Sequence, residues 1–114
     1  MVTLAITKSR IAATRKRRFS DALAVLKKAA DILVKKYHAR KIVLIGSLID
    51  KNRFGVHSDI DLCVEGISGK LYFQAVGELL LLSEKFDIDI IPLENATMEM
   101  KEQAMKGKVL HEKR

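Results

Sequence analysis

The 114-residue chain has one cysteine, one proline, no tryptophan and only 5% aromatic residues. A single thiol, Cys63, excludes an internal disulfide framework and a zinc site built from cysteines, so a reducing, cytoplasmic compartment is the expectation. The lone Pro92 and six scattered glycines form no linker, so nothing marks a domain boundary. No apolar run approaches the roughly 18 residues of a membrane span; Ile42–Ile45 and Leu79–Leu82 are core-sized. The first residues hold scattered cations but no compact apolar segment with a small-residue cleavage site, which argues against a secretory leader. The shortage of aromatics gives base-stacking recognition of single-stranded nucleic acid little support.

What remains is 48% hydrophobic and 31% charged, the make-up of one soluble globular domain with a modest core. The net charge of +7 is uneven: residues 1–45 carry twelve Lys and Arg against two acids, for +10, and residues 46–114 carry nine against twelve, for −3. A basic half invites an anionic partner, whether nucleic acid, nucleotide or acidic protein, although a solvated helix face explains it equally well.

Leu23, Leu26, Ala30, Leu33 and Tyr37 recur at steps of three and four, which predicts an amphipathic helix from about Ser20, its expected N-cap, to Tyr37. Residues 8–18 either extend it or form a separate helix. Lys41–Gly46 (KIVLIG) reads as a buried strand, and Asp59–Val64 (DIDLCV) as a strand with Ile60, Leu62 and Val64 on one face and Asp59, Asp61 and Cys63 on the other. Helical spacing returns over 70–84 through Leu71, Ala75, Leu79 and Leu82. Phe86–Ile91 (FDIDII) is a further strand, and a short helix starts at Asn95 or Thr97 and stops near Gly107. The order helix, strand, strand, helix, strand, helix predicts an α/β (α+β) layout, a small mixed sheet with flanking helices.

Two of these strands share an oddity. Each buries an aliphatic face and sets aspartates at i and i+2 on the other, although aspartate is among the poorest strand formers. If the strands are neighbours, the carboxylates converge and repel unless a cation lies between them. Oxygen ligands without His or Cys favour a hard divalent ion, Mg²⁺ or Mn²⁺. Directly after the first strand comes Gly46-Ser47, where a glycine permits close backbone approach and amides and a hydroxyl can meet phosphate oxygens. Either signal alone is weak, since most Gly-Ser pairs are plain turns and one Asp-x-Asp is often a solvated strand face. Together they describe chemistry on a nucleoside triphosphate.

The arrangement IGS, eleven residues, DIDL, and then IDII resembles the nucleotidyltransferases of the DNA polymerase β type, most of all their minimal members, over about residues 40–94. The resemblance implies a nucleotidyltransferase fold in a single domain over 1–114, with a basic helical segment (1–39), a catalytic core (40–94) and a C-terminal helix and tail (95–114). It implies that Gly46 and Ser47 hold the triphosphate, that Asp59 and Asp61 bind Mg²⁺, and that Asp89 supplies the third carboxylate, completing the site for the attacking hydroxyl. Asp89 is preferred because it lies within the aliphatic run, while Asp87 shares its facing. The implied activity is transfer of a nucleoside monophosphate, AMP from ATP, to an acceptor hydroxyl. The implied partner is a helical HEPN-type protein that the enzyme silences as an antitoxin; self-association is a second way to cover so small a sheet. The chain departs from the family pattern after Gly46-Ser47: relatives carry a run resembling Gly-Ser-x-Ala-Arg-Gly, whereas Leu48, Ile49 and Asp50 follow here, leaving Lys51 and Arg53 as the nearest cations. The alternative reading is therefore a catalytically impaired protein of this fold that binds an acidic partner or nucleic acid.

Other residues read more simply. His57 precedes the aspartates in a loop and is expected to be solvent-exposed, as are His38 and His111. Cys63 is expected to pack, and so are Met98, Met100 and Met105. The run Arg15-Lys16-Arg17-Arg18 suits a phosphate backbone, a protein partner or a solvated helix face.

Overall fold

A computed structural model describes residues 2–50, 54–55 and 59–113 and, within the first helix, the side chains of Arg10 and of residue 13 onward. In chain order the elements are α1 (Val2–Lys35), β1 (Lys41–Ile45), a 3₁₀ turn (Ser47–Ile49), β2 (Ile60–Glu65), α2 (Gly69–Leu80), β3 (Ile88–Pro92), a second 3₁₀ turn (Leu93–Asn95), α3 (Met98–Lys106) and β4 (Lys108–Glu112). The strands form one sheet in the order β3-β2-β1-β4. β1 runs antiparallel to both β2 and β4, and β2 pairs parallel with β3. The result is the mixed α+β architecture expected from the pattern.

α1 is a single helix of 34 residues, about 51 Å long at 1.5 Å per residue, and it sets the longest dimension of the molecule, 56 Å. No glycine or proline interrupts it, so residues 8–18 extend the helix and Ser20 lies inside it rather than capping it. Its core stripe is Ala22, Leu26, Ala29 and Leu33, with Tyr37 just beyond; the expected positions Leu23 and Ala30 lie at the margin, and Leu23 is exposed. The helix ends through His38, a non-glycine residue at φ 57°. This left-handed turn lets the Ala39 N–H reach back to the Leu33 carbonyl at 2.9 Å.

α1 and α2 cover one face of the sheet, where Ile42, Leu44, Ile60, Leu62, Val64, Ile88 and Ile90 join Leu26, Leu33, Ala75 and Leu79 in the main core. α2 is fastened at both ends. Tyr72 donates to the Ile90 carbonyl at 2.6 Å, and Glu78 accepts from Tyr37 at 2.7 Å and from Lys36 at 2.8 Å. The other face holds a small cluster, Val43, Ile45 and Cys63, against which Ile91, Leu93, Met100 and Ala104 pack. Cys63 is a packing residue, and burial pushes its thiol above the ordinary range. Met100 packs as expected, whereas Met98 and Met105 point to solvent, on the outer side of a helix only nine residues long. Thr97 caps α3 by accepting from the Met100 N–H at 3.2 Å.

The largest departure from expectation is at residues 108–112, read as a tail and found as edge strand β4. Gly107 makes the turn from α3 possible: a Cβ there would stand 2.5 Å from the Leu44 carbonyl oxygen, so only a glycine lets the chain pass flush against β1. His38 is exposed and His111 is half-buried in β4. His57, Lys51 and Arg53 lie outside the described residues.

Candidate active site

The strand pairings decide what the sequence left conditional. β2 and β3 are neighbours, and Asp61 and Asp89 are register partners. Across the other side of β2, Asp61 is the register partner of Ile45, the last residue of β1. Gly46 follows at once, at φ 83° and ψ −160°, a conformation that an L residue rarely adopts. A Cβ built on Gly46 would lie 3.0 Å from Asp61 Oδ2. The glycine thus lets the backbone end of β1 lie directly against the central carboxylate. Ser47, half-buried, opens the 3₁₀ turn, and the Asp50 N–H returns to the Ser47 carbonyl at 3.2 Å.

Asp59 stands just before β2. Beside it, the Ile60 N–H donates to the Asp87 carbonyl at 3.0 Å, tying the start of β2 to the start of β3. Asp61 is half-buried and its carboxyl is held above the ordinary carboxylate range. Burial is the first cause; the charges of Asp89 and Asp59 follow, and then a hydrogen bond shared with Asp89. All five residues expected at the site, Gly46, Ser47, Asp59, Asp61 and Asp89, therefore lie at one end of the sheet, on or beside its α3 side. Asp87 instead uses its backbone to join the two strands.

The donor set fits a hard divalent cation. Its groups are carboxylate oxygens, the nearest sulfur is a thiol kept protonated by burial, and the repulsion concentrated on Asp61 is of the kind a cation relieves. Among the described residues no three Asp, Glu, His or Cys side chains are grouped so as to hold a metal ion. The hollow framed by Ile67, Tyr72, Phe73 and Pro92 contains none of them.

Leu48 is 2% exposed and belongs to the main core, so the turn anchors the end of β1 by burying an aliphatic side chain. Sequence reasoning overlooked one residue that contacts the segments preceding the two carboxylate strands. Arg18, read with its three basic neighbours as a run suited to a phosphate backbone, a protein partner or a solvated helix face, is half-buried and donates to the Gly55 carbonyl, while Arg15, Lys16 and Arg17 are exposed. Its environment is aromatic, and no linear spacing signals that.

Residues 27–114 match the family model described as polymerase beta, nucleotidyltransferase. No curated protein matches the chain. Solved structures similar to it include two toxin–antitoxin assemblies. One is a toxin–antitoxin with AMP-PNP, 20% identical with a TM-score of 0.62, the match covering 76% of this chain and 73% of that one. The other is a tri-AMPylated Shewanella oneidensis HEPN toxin in complex with MNT antitoxin, also 20% identical, with a TM-score of 0.48 and coverage of 86% and 72%. At such identity the first of these likenesses speaks for the fold alone. Among the described residues no helix is long and apolar enough to cross a membrane.

Proposed function

From the premise that the chain belongs to the polymerase beta nucleotidyltransferase family, we propose that it is a Mg²⁺-dependent transferase that moves AMP from ATP to an acceptor hydroxyl. The observation that carries this reading is the meeting of Gly46, Asp61 and Asp89: the glycine backbone abuts the carboxylate that pairs with the third aspartate. Gly46 and Ser47 receive the triphosphate through backbone amides and the Ser47 hydroxyl, the missing Cβ letting that backbone lie against Asp61. Asp59 and Asp61 hold the divalent ion, with Asp89 completing its ligands. When bound, Mg²⁺, with Mn²⁺ as its natural substitute, supplies neutralising charge to the triphosphate and the departing pyrophosphate. Asp89 orients the acceptor hydroxyl and takes its proton as the oxygen bonds to the α-phosphorus and the bond to pyrophosphate breaks. With no nucleophilic side chain required, catalysis here is positioning and charge placement.

The acceptor belongs to a partner. The described residues form one sheet with its helices, and the structural neighbour with AMP-PNP is itself a toxin–antitoxin. Together with the family resemblance, this favours a helical HEPN-type protein as the substrate and an antitoxin role for this chain. The test is calorimetric titration with ATP and Mg²⁺, followed by transfer of label from ATP radiolabelled at the α-phosphate to a co-purified partner. Asp59→Asn with Asp61→Asn, and separately Asp89→Asn, should lower transfer by at least about 100-fold. Equal binding of Mg²⁺ and ATP by the wild type and the double variant would sink the proposal and favour the binding-protein alternative.

A further inference from the structure

Arg18 lies on α1, outside the carboxylate cluster, yet it touches the approach to both carboxylate strands. Its guanidinium carbon stands 4.4 Å from the ring centroid of Phe86 and 5.9 Å from that of Phe54. Nε donates to the Gly55 carbonyl at 3.3 Å, and a terminal nitrogen donates to the Lys85 carbonyl at 3.5 Å. Gly55 is in the loop that leads to Asp59 and Asp61; Lys85 and Phe86 lead to Asp89. The two rings are almost fully buried, 6.1 Å apart, and Phe19 of α1 meets Phe54 edge-on at 5.9 Å. The same two starting points are joined directly by the Ile60 N–H to Asp87 carbonyl bond.

We propose that Arg18 is a positioning residue for the carboxylate site, a brace that locks the start of β2 and the start of β3 to α1 so that Asp59, Asp61 and Asp89 are held in register. The inference rests on the site proposed above and extends it to a residue of α1. Arginine suits the role because its planar, delocalised group can stack on a ring and donate in two directions at once. A lysine carries the charge but concentrates its donors at one point. Phe54 is itself held, its N–H reaching the Asp50 carbonyl at 3.2 Å and its ring lying beneath the brace. Three of the four consecutive cations on α1 thus face solvent while the fourth acts inside the fold.

The experiment compares Arg18→Lys with the wild type, using Arg17→Lys as the control on the exposed neighbour. Amide hydrogen exchange is read at Phe54 and Ile60, whose N–H groups donate to the Asp50 and Asp87 carbonyls, and the Mg²⁺ dependence of ATP binding is titrated in parallel. In Arg18→Lys these two amides should exchange at least about tenfold faster while Leu44 and Leu79 keep their protection, and the Mg²⁺ concentration for half-saturation should rise roughly tenfold to 100-fold, as expected for misplaced ligands. Arg17→Lys should match the wild type in both readouts. If Arg18→Lys also matches the wild type while Asp61→Asn abolishes binding, the brace is refuted and the transferase site stands. If Asp61→Asn binds Mg²⁺ and ATP like the wild type, the transferase site falls, and with it the positioning role. Faster exchange spread evenly through Leu44 and Leu79 would reduce Arg18 to a general stability residue and overturn the inference.

Discussion

On the α1–α2 side of the sheet, Ile42, Leu44, Ile60, Leu62 and Ile88 interlock with two helices. On the α3 side, Val43, Ile45 and Cys63 meet a nine-residue helix, and β2 and β3 also carry Asp61 and Asp89 there. The same strands build both sides, residue by alternate residue, so the period of two divides stability from chemistry. The thick side can be continuous because, among the described residues, no polar or charged side chain is fully buried. The thin side is too small to dominate stability, which leaves its carboxylates half-open to what they bind.

Adjacent substitutions in β2 can break that comparison. Leu62→Ala, on the thick side, should cost about 2–5 kcal/mol in urea unfolding, and Cys63→Ala, one residue on and equally buried, only about 1 kcal/mol. Equal losses would mean that the thin side carries as much of the fold as the thick one. Gly46→Ala should cost about 1–2 kcal/mol from its backbone angle and, by pressing a methyl on Asp61, weaken binding of Mg²⁺ and ATP more than Leu62→Ala does at temperatures where both are folded.

The smallest effects, and the ones that most sharpen the contrast, concern pH. Asp61 binds its proton more tightly in the folded chain, so in metal-free buffer folded stability falls as pH rises through and beyond the ordinary carboxylate range. Asp61→Asn should remove that slope and raise Tm at neutral pH. Glu78, between α1 and α2, is held below the ordinary range by hydrogen bonds from Lys36 and then Tyr37. Its contribution is therefore present at neutral pH and lost on acidification, and Glu78→Gln should flatten the acid limb of the Tm curve. The two substitutions should change the slope of stability with pH in opposite senses, and a change of the same sign in both would contradict the opposed environments described for these carboxylates.

How far the sequence was legible follows the same division. β2 and β3 could be read because Ile60-Leu62-Val64 and Ile88-Ile90 alternate strictly with polar residues, and α3 because Thr97 and Gly107 bracket it. β4 escaped because Lys108–Glu112 lies at a sheet edge, where Val109 is exposed and Leu110 only half-buried, so its hydrophobic signal is faint. The start of α1 escaped because helix continues wherever nothing stops it, and Ser20 looked like a cap only in isolation. At the site, the spacing exposed Gly46, Asp59, Asp61 and Asp89, but not their convergence, which depends on β2 pairing with β3 on one side and β1 on the other. Arg18 was hidden because its partners, Phe54, Gly55, Lys85 and Phe86, are remote in sequence.

Edge strand β4 has a consequence for the order in which the protein assembles. β1 and β2 form an antiparallel pair across a short interval, but the second neighbour of β1 lies beyond α2, β3 and α3 in the chain. During synthesis β1 therefore waits with one row of backbone donors and acceptors unpaired, a template for any passing strand. Closure of that edge by residues 108–112 is a long-range step that comes late by topology, and a chain stalled before it would be the aggregation-prone species.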